Sequence, residues 1–394
     1  MAAANMSDLT SMVHDQLLER NRIYEDFFTL QSHRLALACR EMSNRFLRGG
    51  RLLAFGRGPY STDAQHVSVE FVHPIIVGKR ALPALDLSAL PIPWLEAVLH
   101  PDDIVMGFGP PAGDKEIDEA LKIANKRGAM TFALPGHSGN YTLDPPSQNP
   151  FLHQELVEIL YHTLWETVHV FFEHQELGHD VGNSGFLYPF LGEQKEPSAD
   201  VLDQVAASIR AKAQDDSKLR ARVAREQAAQ IAAAARAIYE RLQKGGKILT
   251  FGNGGSATDA NDFAIDCVLP PPGYKPVPAI SLSMEPANLT AIANDVGIEL
   301  IFLRQMIAHA KPEDVAVGIS TSGGSRNVIL ALEEARKRGL LTVALLGYDG
   351  GEILRGRLAD HSLVVHSDYI PRIQEVQASI YHVLRETMEV LTHA

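Results

Sequence analysis

The chain has 394 residues, 45% of them hydrophobic, which is typical globular composition but too long for one ordinary core, so two domains are expected. Its formal net charge of -12 argues against nucleic acid or an anionic membrane as partner, since both are bound through basic surfaces, and leaves any anionic ligand to local donors. With only Cys39 and Cys267, a disulfide framework and a Cys-rich zinc site are both excluded.

The opening "MAAANMSDLTSMVHDQ" has no apolar stretch of the signal-peptide kind, and no later run is long enough to span a bilayer; a soluble, cytoplasmic protein is expected. A helical stretch over 20–48 leads through a Gly-Gly turn into a short strand, "RLLAFG". The glycine loop "GRGPYS" then opens a helix carrying His66 and Glu70. A buried strand "HPDDIVMGF", the loop "GFGPPAGDKE", a helix "EIDEALKIANKRG" and a strand "AMTFALPG" follow, and "QELVEILYHTLWET" closes the half as a long helix. Residues 175–221 begin "HQELGHDVGNSGFLYPFLG" and turn charged and Ala-rich. Their polar part is expected to be a linker, and the apolar "GFLYPFL" to pack on a domain.

From residue 222 the order repeats. A helix over 223–244 precedes "KILTFG", the loop "GNGGSATDA" and another helix. The added segment "GYKPVPAISLSMEPANLTAIANDVG" comes next, then the strand "KPEDVAVGI", the loop "STSGGSRN", the helix "NVILALEEARKRG", the strand "LLTVALLG" and the closing helix "QEVQASIYHVLRET". Strands alternating with helices across short Gly-rich turns predict an α/β fold, each half a parallel sheet with helices on both faces. The expected domains are 1–174 and 222–394.

The two copies carry different chemistry. In the second half, Gly255 and Ser256 stand where a strand turns into a helix, and Ser320, Thr321, Ser322 and Ser325 fill a second such turn. Glycines let the backbone approach an anion, and a helix start offers unpaired N–H groups, so the pair makes a phosphate cradle of neutral donors. The same residues are also the ordinary ones for turns and N-caps. The first half lacks this cradle: Pro59 and Tyr60 replace the Gly-Ser pair, and prolines and Asp114 replace the hydroxyl loop. "GRGPYS" is not a dinucleotide fingerprint, since the third glycine is missing. His66 and Glu70, four apart, share a helix face and suit one divalent metal, although such pairs also recur on surface helices as solvated neighbours. Gln154 and His162 are about 12 Å apart along a continuous helix, so both reach one ion only if Gln154 sits at the frayed start. Read by itself, His162 is a packed core histidine.

"GNGGSATDA", "LTAIANDVGIE", "STSGGSRN" and "PRIQEVQASIYH", in this order of elements, resemble the phosphosugar-isomerase (SIS) fold, and within it the phosphoheptose isomerases. The resemblance covers most of 222–391 and, more divergently, 20–172, which makes this a tandem form. It implies a metal, usually zinc, held by His66, Glu70, Gln154 and His162. In the second half Gln374 and His382 match and join the expected substrate-binding set, but the other two ligands have become Asp262 and Asp266. Their shorter side chains lead to the expectation that this half binds metal poorly. The phosphate loops match at Asn253, Gly255, Ser256, Ser320, Thr321, Ser322 and Ser325. An Arg usual near the substrate is Pro74 and Pro270 here, and an Asp before the R-I-Q-E run is Pro371.

The reaction so implied interconverts a ketose and an aldose phosphate, with the sedoheptulose 7-phosphate type expected, through an enediol. Glu70 would be the base, His162 the acid, and a divalent metal, zinc by resemblance, the polariser of the oxygens. The duplicated frame would have divided its labour in a composite site, the first domain keeping metal and proton transfer, the second the phosphate grip. The rival expectation is a non-catalytic sugar-phosphate-binding or regulatory protein. The resemblance also implies a homodimer that mimics a tetramer of single domains, which the all-round apolar "ELVEILYHTLWETVHVFF" supports.

Overall fold

A computed structural model of the chain describes residues 5–74, 79–136, 138–176 and 198–393. The first half contains α1 (Met6–Leu47), β1 (Leu52–Gly56), α2 (Ser61–Val72), β2 (Ala84–Asp86), α3 (Pro91–Val98), β3 (Ile104–Phe108), α4 (Lys115–Lys126), β4 (Met130–Leu134), β5 (Tyr141–Thr142) and α5 (Pro150–Glu176). The second contains α6 (Ser198–Leu242), β6 (Ile248–Phe251), α7 (Gly255–Val268), β7 (Ala279–Ser281), α8 (Pro286–Asp295), α9 (Ile301–His309), β8 (Val315–Ser320), α10 (Arg326–Lys337), β9 (Leu341–Gly347), α11 (Gly351–Arg355), β10 (His361–Val365) and α12 (Ile370–His393). The apolar "GFLYPFL" segment lies outside the described residues. Among the described residues, no helix is long and apolar enough to cross a membrane.

Each half builds a five-stranded sheet, in the orders β2-β1-β3-β4-β5 and β7-β6-β8-β9-β10. Every pairing is parallel, and the registers correspond: Leu52 faces Ile104 as Ile248 faces Val315. The identical order is the duplication read from the sequence, now in three dimensions. All residues of β1, β3 and β4 are buried, as strands covered on both faces must be. Alternation assigns them to two layers. Leu52, Ala54, Ile104 and Met106 join the core under α1 and α5, while Leu53, Phe55 and Val105 join a smaller core under α4. In the second half Ile248, Val315 and Val317 point one way and Leu249, Phe251 and Ala316 the other. The order reverses direction at β1/β3 and at β6/β8, and such switch points are where ligand loops of parallel sheets lie.

The compact units differ from the expected domains. One is Arg22–Ser217; the other joins Met1–Asn21 to Lys218–Ala394. Residues 198–221, expected to be linker, are the first turns of the continuous helix α6. Val205, Ile209 and Ala213 anchor them in the first-half core. Residues 6–21 belong with the second half because Leu9, Val13 and Leu17, spaced four apart on one helix face, are buried with Val223, Ala224 and Ile231. Arg20 also pairs with Glu386 at 3.0 Å, the guanidinium 1% exposed.

Candidate functional site

In the first-half unit, α2 starts directly after the β1 loop and carries both His66 and Glu70 inward, 2% and 1% exposed. α5 brings Glu158 and His162 to the same place, and His66, Glu158 and His162 each offer a ligand atom within 4.8 Å of the others. The two imidazoles stand 5.1 Å apart, nearly perpendicular at 80°. Glu70 Oε1 lies 3.8 Å from His66 Nε2, and Glu70 Oε2 is buried with no hydrogen-bond partner among the described residues. Burial, reinforced by His162, drives the His66 pKa well below its ordinary range, so the ring is neutral and its lone pair available. Burial also raises Glu70 to about 8, with Glu166 adding to the effect.

This donor set fits a zinc-type ion: two imidazoles, a carboxylate, and a second carboxylate, that of Glu70, whose Oε2 lacks a partner among the described residues. Gln154 sits a turn inside α5 rather than at a frayed start. Its amide nitrogen donates to Pro59 O and Thr62 Oγ1, both at 3.4 Å. Glu158, one turn before His162, is the residue that sequence reasoning missed. Its signal was available: Glu158 lies four residues before His162, the spacing that puts both on one face of α5.

The loops of this unit are self-satisfied. Asp114 caps α4, its carboxylate accepting from Glu116 N at 2.9 Å and Ile117 N at 3.1 Å, so the protein's own anion takes the place an external one would need. Arg57, after β1, pairs with Glu116. His153 donates to Gly109 O at 3.1 Å and is pushed down to about 4 by burial.

In the second-half unit the same two loops are open. The N-cap of α7 is Gly254, at φ 56°, and that of α10 is Ser325, whose side chain makes no capping bond. Neither N-cap side chain therefore takes a first-turn backbone donor, although in α10 Asn327 Oδ1 accepts from Val328 N at 2.9 Å. Asn253 and Asn327 exchange amide hydrogen bonds at 2.9 Å and tie the loops together. Ser320 and Ser325 hydroxyls meet at 3.1 Å, Gly323 N donates to Ser320 Oγ, and Gly324 N to Ser322 Oγ. Ser256, at the start of α7, is 5% exposed, and Gly255 O accepts from Thr258 Oγ1. Thr321 lies between the serines in the same turn. Asn327 and Ser283, whose hydroxyl donates to Gly252 O at 3.0 Å, also escaped the sequence reading. Gln374 and His382 are buried on α12, and His382 Nε2 is 3.0 Å from Asp266 Oδ2.

Residues 213–347 match the SIS domain family model. The chain is 42% identical over 194 residues to the phosphoheptose isomerase of Geobacter sp. (strain M21), covering 48% of this chain and 96% of that protein. The chain belongs to the phosphoheptose isomerase family of SIS-domain proteins. A phosphoheptose isomerase from a Nitratiruptor species is 48% identical over 150 residues, 37% of this chain and 77% of its own. At the level of fold alone, this SIS chain matches tagatose-6-phosphate ketose/aldose isomerase from Escherichia coli with a TM-score of 0.58 and 12% identity, over 100% of this chain and 96% of that one. It matches the C-terminal domain of glucosamine-fructose-6-phosphate aminotransferase from Francisella tularensis with a TM-score of 0.61 and 9% identity, over 96% of each. Its two parallel sheets are thus tandem SIS domains.

Proposed function

We propose that the chain is a metal-dependent aldose–ketose isomerase of a sugar phosphate, with the sedoheptulose 7-phosphate/heptose 7-phosphate pair as substrate. The observation that carries this reading is the buried meeting of His66, Glu158 and His162 with Glu70 at its edge. His66, His162 and Glu158, with Glu70 beside them, would hold the ion, and Gln154, a turn inside α5, stands outside that set. When bound, a divalent ion such as zinc supplies a Lewis acid for the carbonyl and hydroxyl oxygens of the sugar.

Glu70 takes the proton from the carbon next to the carbonyl and returns it to the neighbouring carbon. A carboxyl held up to about 8 is matched to taking and returning a proton near neutrality. His162, entirely buried, moves the proton between the two oxygens of the enediol. Burial of the whole cluster keeps bulk water from quenching that intermediate. Binding of the phosphate is assigned to the open second-half loops, through Asn253, Gly255, Ser256, Ser320, Thr321, Ser322 and Ser325, with Gln374 and His382 in the substrate set. Neutral donors and helix starts suit a dianion on an acidic protein. The working assembly is a homodimer.

One observation favours the rival, a sugar-phosphate-binding protein without turnover: Asp114 closes the loop of the very unit that carries the acid–base set. Kinetics separate the two. The isomerase reading expects turnover of a heptose, hexose or pentose phosphate, with Glu70→Gln lowering kcat by about 100-fold or more and Ser325→Ala acting mainly through KM. Binding of sugar phosphates without turnover by the metal-loaded wild type supports the rival. Sedimentation as a stable monomer at micromolar concentration counts against the dimer.

A further inference from the structure

The turn after β9 holds a strained residue beside the Ser320–Ser325 loop. β9 ends at Gly347, and Gly350 N donates to Gly347 O at 2.8 Å, closing a four-residue turn around Tyr348 and Asp349. Tyr348, the first central residue, has φ 49°. A positive φ at that place in a turn is the conformation of Gly, Asn and Asp, and a bulky side chain is strained in it. Such strain persists only where the surroundings hold it. His366, just after β10, does so: its Nδ1 donates to Tyr348 O at 2.8 Å, since a carbonyl can only accept.

The turn is wedged between the phosphate loop and α12. A Cβ on Gly347 would meet Thr321 O at 2.5 Å and the Ile373 side chain at 2.6 Å, and one on Gly351 would meet Ser322 O at 2.3 Å. Ile353 N donates to Gly323 O at 3.0 Å. Tyr348 thus follows directly on a residue in contact with Thr321 and with Ile373, the neighbour of Gln374. Its ring is half-buried and packs with the apolar cluster that holds Ile373 and Val365. Among the described residues, no hydrogen bond reaches its hydroxyl. Burial, reinforced by the Asp368 carboxylate, raises the phenol above the usual tyrosine range, so it stays neutral and can donate. Neither backbone nor packing calls for a tyrosine here. Glycine would relieve the turn, and phenylalanine would fill the same apolar contact.

We propose that Tyr348 is a specificity-determining residue, whose hydroxyl hydrogen-bonds the hydroxyl-bearing chain of a sugar phosphate held at its phosphate by the Ser320–Ser325 loop. This rests on the phosphate reading of that loop and not on turnover. It gives the second-half loops a means of telling a long polyhydroxylated chain from a bare phosphate. A side chain fixed in advance by its turn and by His366 meets the ligand without the cost of being ordered on binding.

The experiment is calorimetry on the full chain with ligands that carry no carbonyl and so cannot be isomerised: inorganic phosphate, glycerol 3-phosphate, a hexitol 6-phosphate and a heptitol 7-phosphate. Wild type, Tyr348→Phe and Tyr348→Gly are compared, each checked by melting. Tyr348→Phe should bind the heptitol phosphate about 2–10-fold more weakly, the effect of one neutral hydrogen bond, and inorganic phosphate as wild type does. Tyr348→Gly should lose the same preference and still bind inorganic phosphate. Equal heptitol phosphate affinity in wild type and Tyr348→Phe overturns the proposal and leaves the phosphate grip standing. A uniform loss in Tyr348→Phe for all four ligands also overturns it, since the residue would then only brace the loop. Wild type that binds none of the four overturns the grip itself, and this proposal with it.

Discussion

Glu70 combines deep burial with a proton that the unfolded chain would not keep. Its pKa is about 8 in the fold against an ordinary value of 4.5, so unfolding releases a proton anywhere between the two. The sign follows: this contribution to stability is fully present below about pH 4.5 and is lost as pH rises toward about 8. The melting temperature of chelator-treated protein should therefore fall across that window, and Glu70→Gln, which cannot ionise, should flatten the fall. Parallel curves for the two would rule the assignment out. The hydroxyls of the second-half loops make a different forecast. Ser256→Ala and Ser325→Ala should each weaken sugar-phosphate binding by about 1.5–3 kcal/mol, the range for a hydrogen bond to a charged group, and calorimetry reads this directly. At this scale the sequence was partly legible. His66 and Glu70 could be paired from their spacing alone, and family resemblance added His162. The spacing of Glu158 and His162 was there to read, but α5 also carries Glu155 and Glu166, and which carboxylate meets His66 is decided only once α2 is packed against α5.

The two loop–helix junctions differ in who satisfies the helix start. In α4 the Asp114 carboxylate does so; in α10 the N-cap Ser325 side chain does not, and Asn327 Oδ1 accepts from Val328 N alone. "GFGPPAGDKE" was read as the loss of a hydroxyl loop. Its gain, an internal anion, could not be seen until the φ and ψ of Asp114 put it at the N-cap. Asp114→Ala should cost about 1 kcal/mol of stability, measured by denaturant titration, and leave phosphate affinity unchanged. The opposite pattern is expected in the open loop. Gly323 lies at φ 60°, and a Cβ there would meet Gly350 O at 2.2 Å, a backbone contact that cannot yield cheaply. Gly323→Ala should therefore displace Ser320 and Ser322 and abolish phosphate binding more completely than either serine substitution. Calorimetry showing unaltered affinity would sink the cradle.

At the scale of the molecule, the parallel sheets and their duplication were legible because buried strands and glycine turns are local signals. The unit boundaries were not, because they depend on which helix face finds a partner far along the chain. Leu9, Val13 and Leu17 look like any amphipathic stripe until Val223 and Ile231 are placed beside them. Leu17→Ala should cost about 2–5 kcal/mol, and hydrogen exchange should accelerate in 223–238, roughly 200 residues further along the chain. Arg20→Met should cost about 3–5 kcal/mol by leaving Glu386 without its guanidinium. Exchange that speeds up only near residues 6–21 would contradict the observed grouping.

The division of α1 between units also has a consequence for biosynthesis. Residues 6–21 leave the ribosome well before the surface they cover, which is made roughly 200 residues later; at about 5–20 residues per second this is a delay of roughly 10–40 seconds. During that time Leu9, Val13 and Leu17 have no bed, and the nascent chain displays an apolar stripe of the kind chaperones hold. Closing so long a loop is also slow compared with the helix contacts inside either half. The turns over residues 6–21 should therefore be the last part of the protein to become protected during refolding, although they are synthesised long before the surface that covers them.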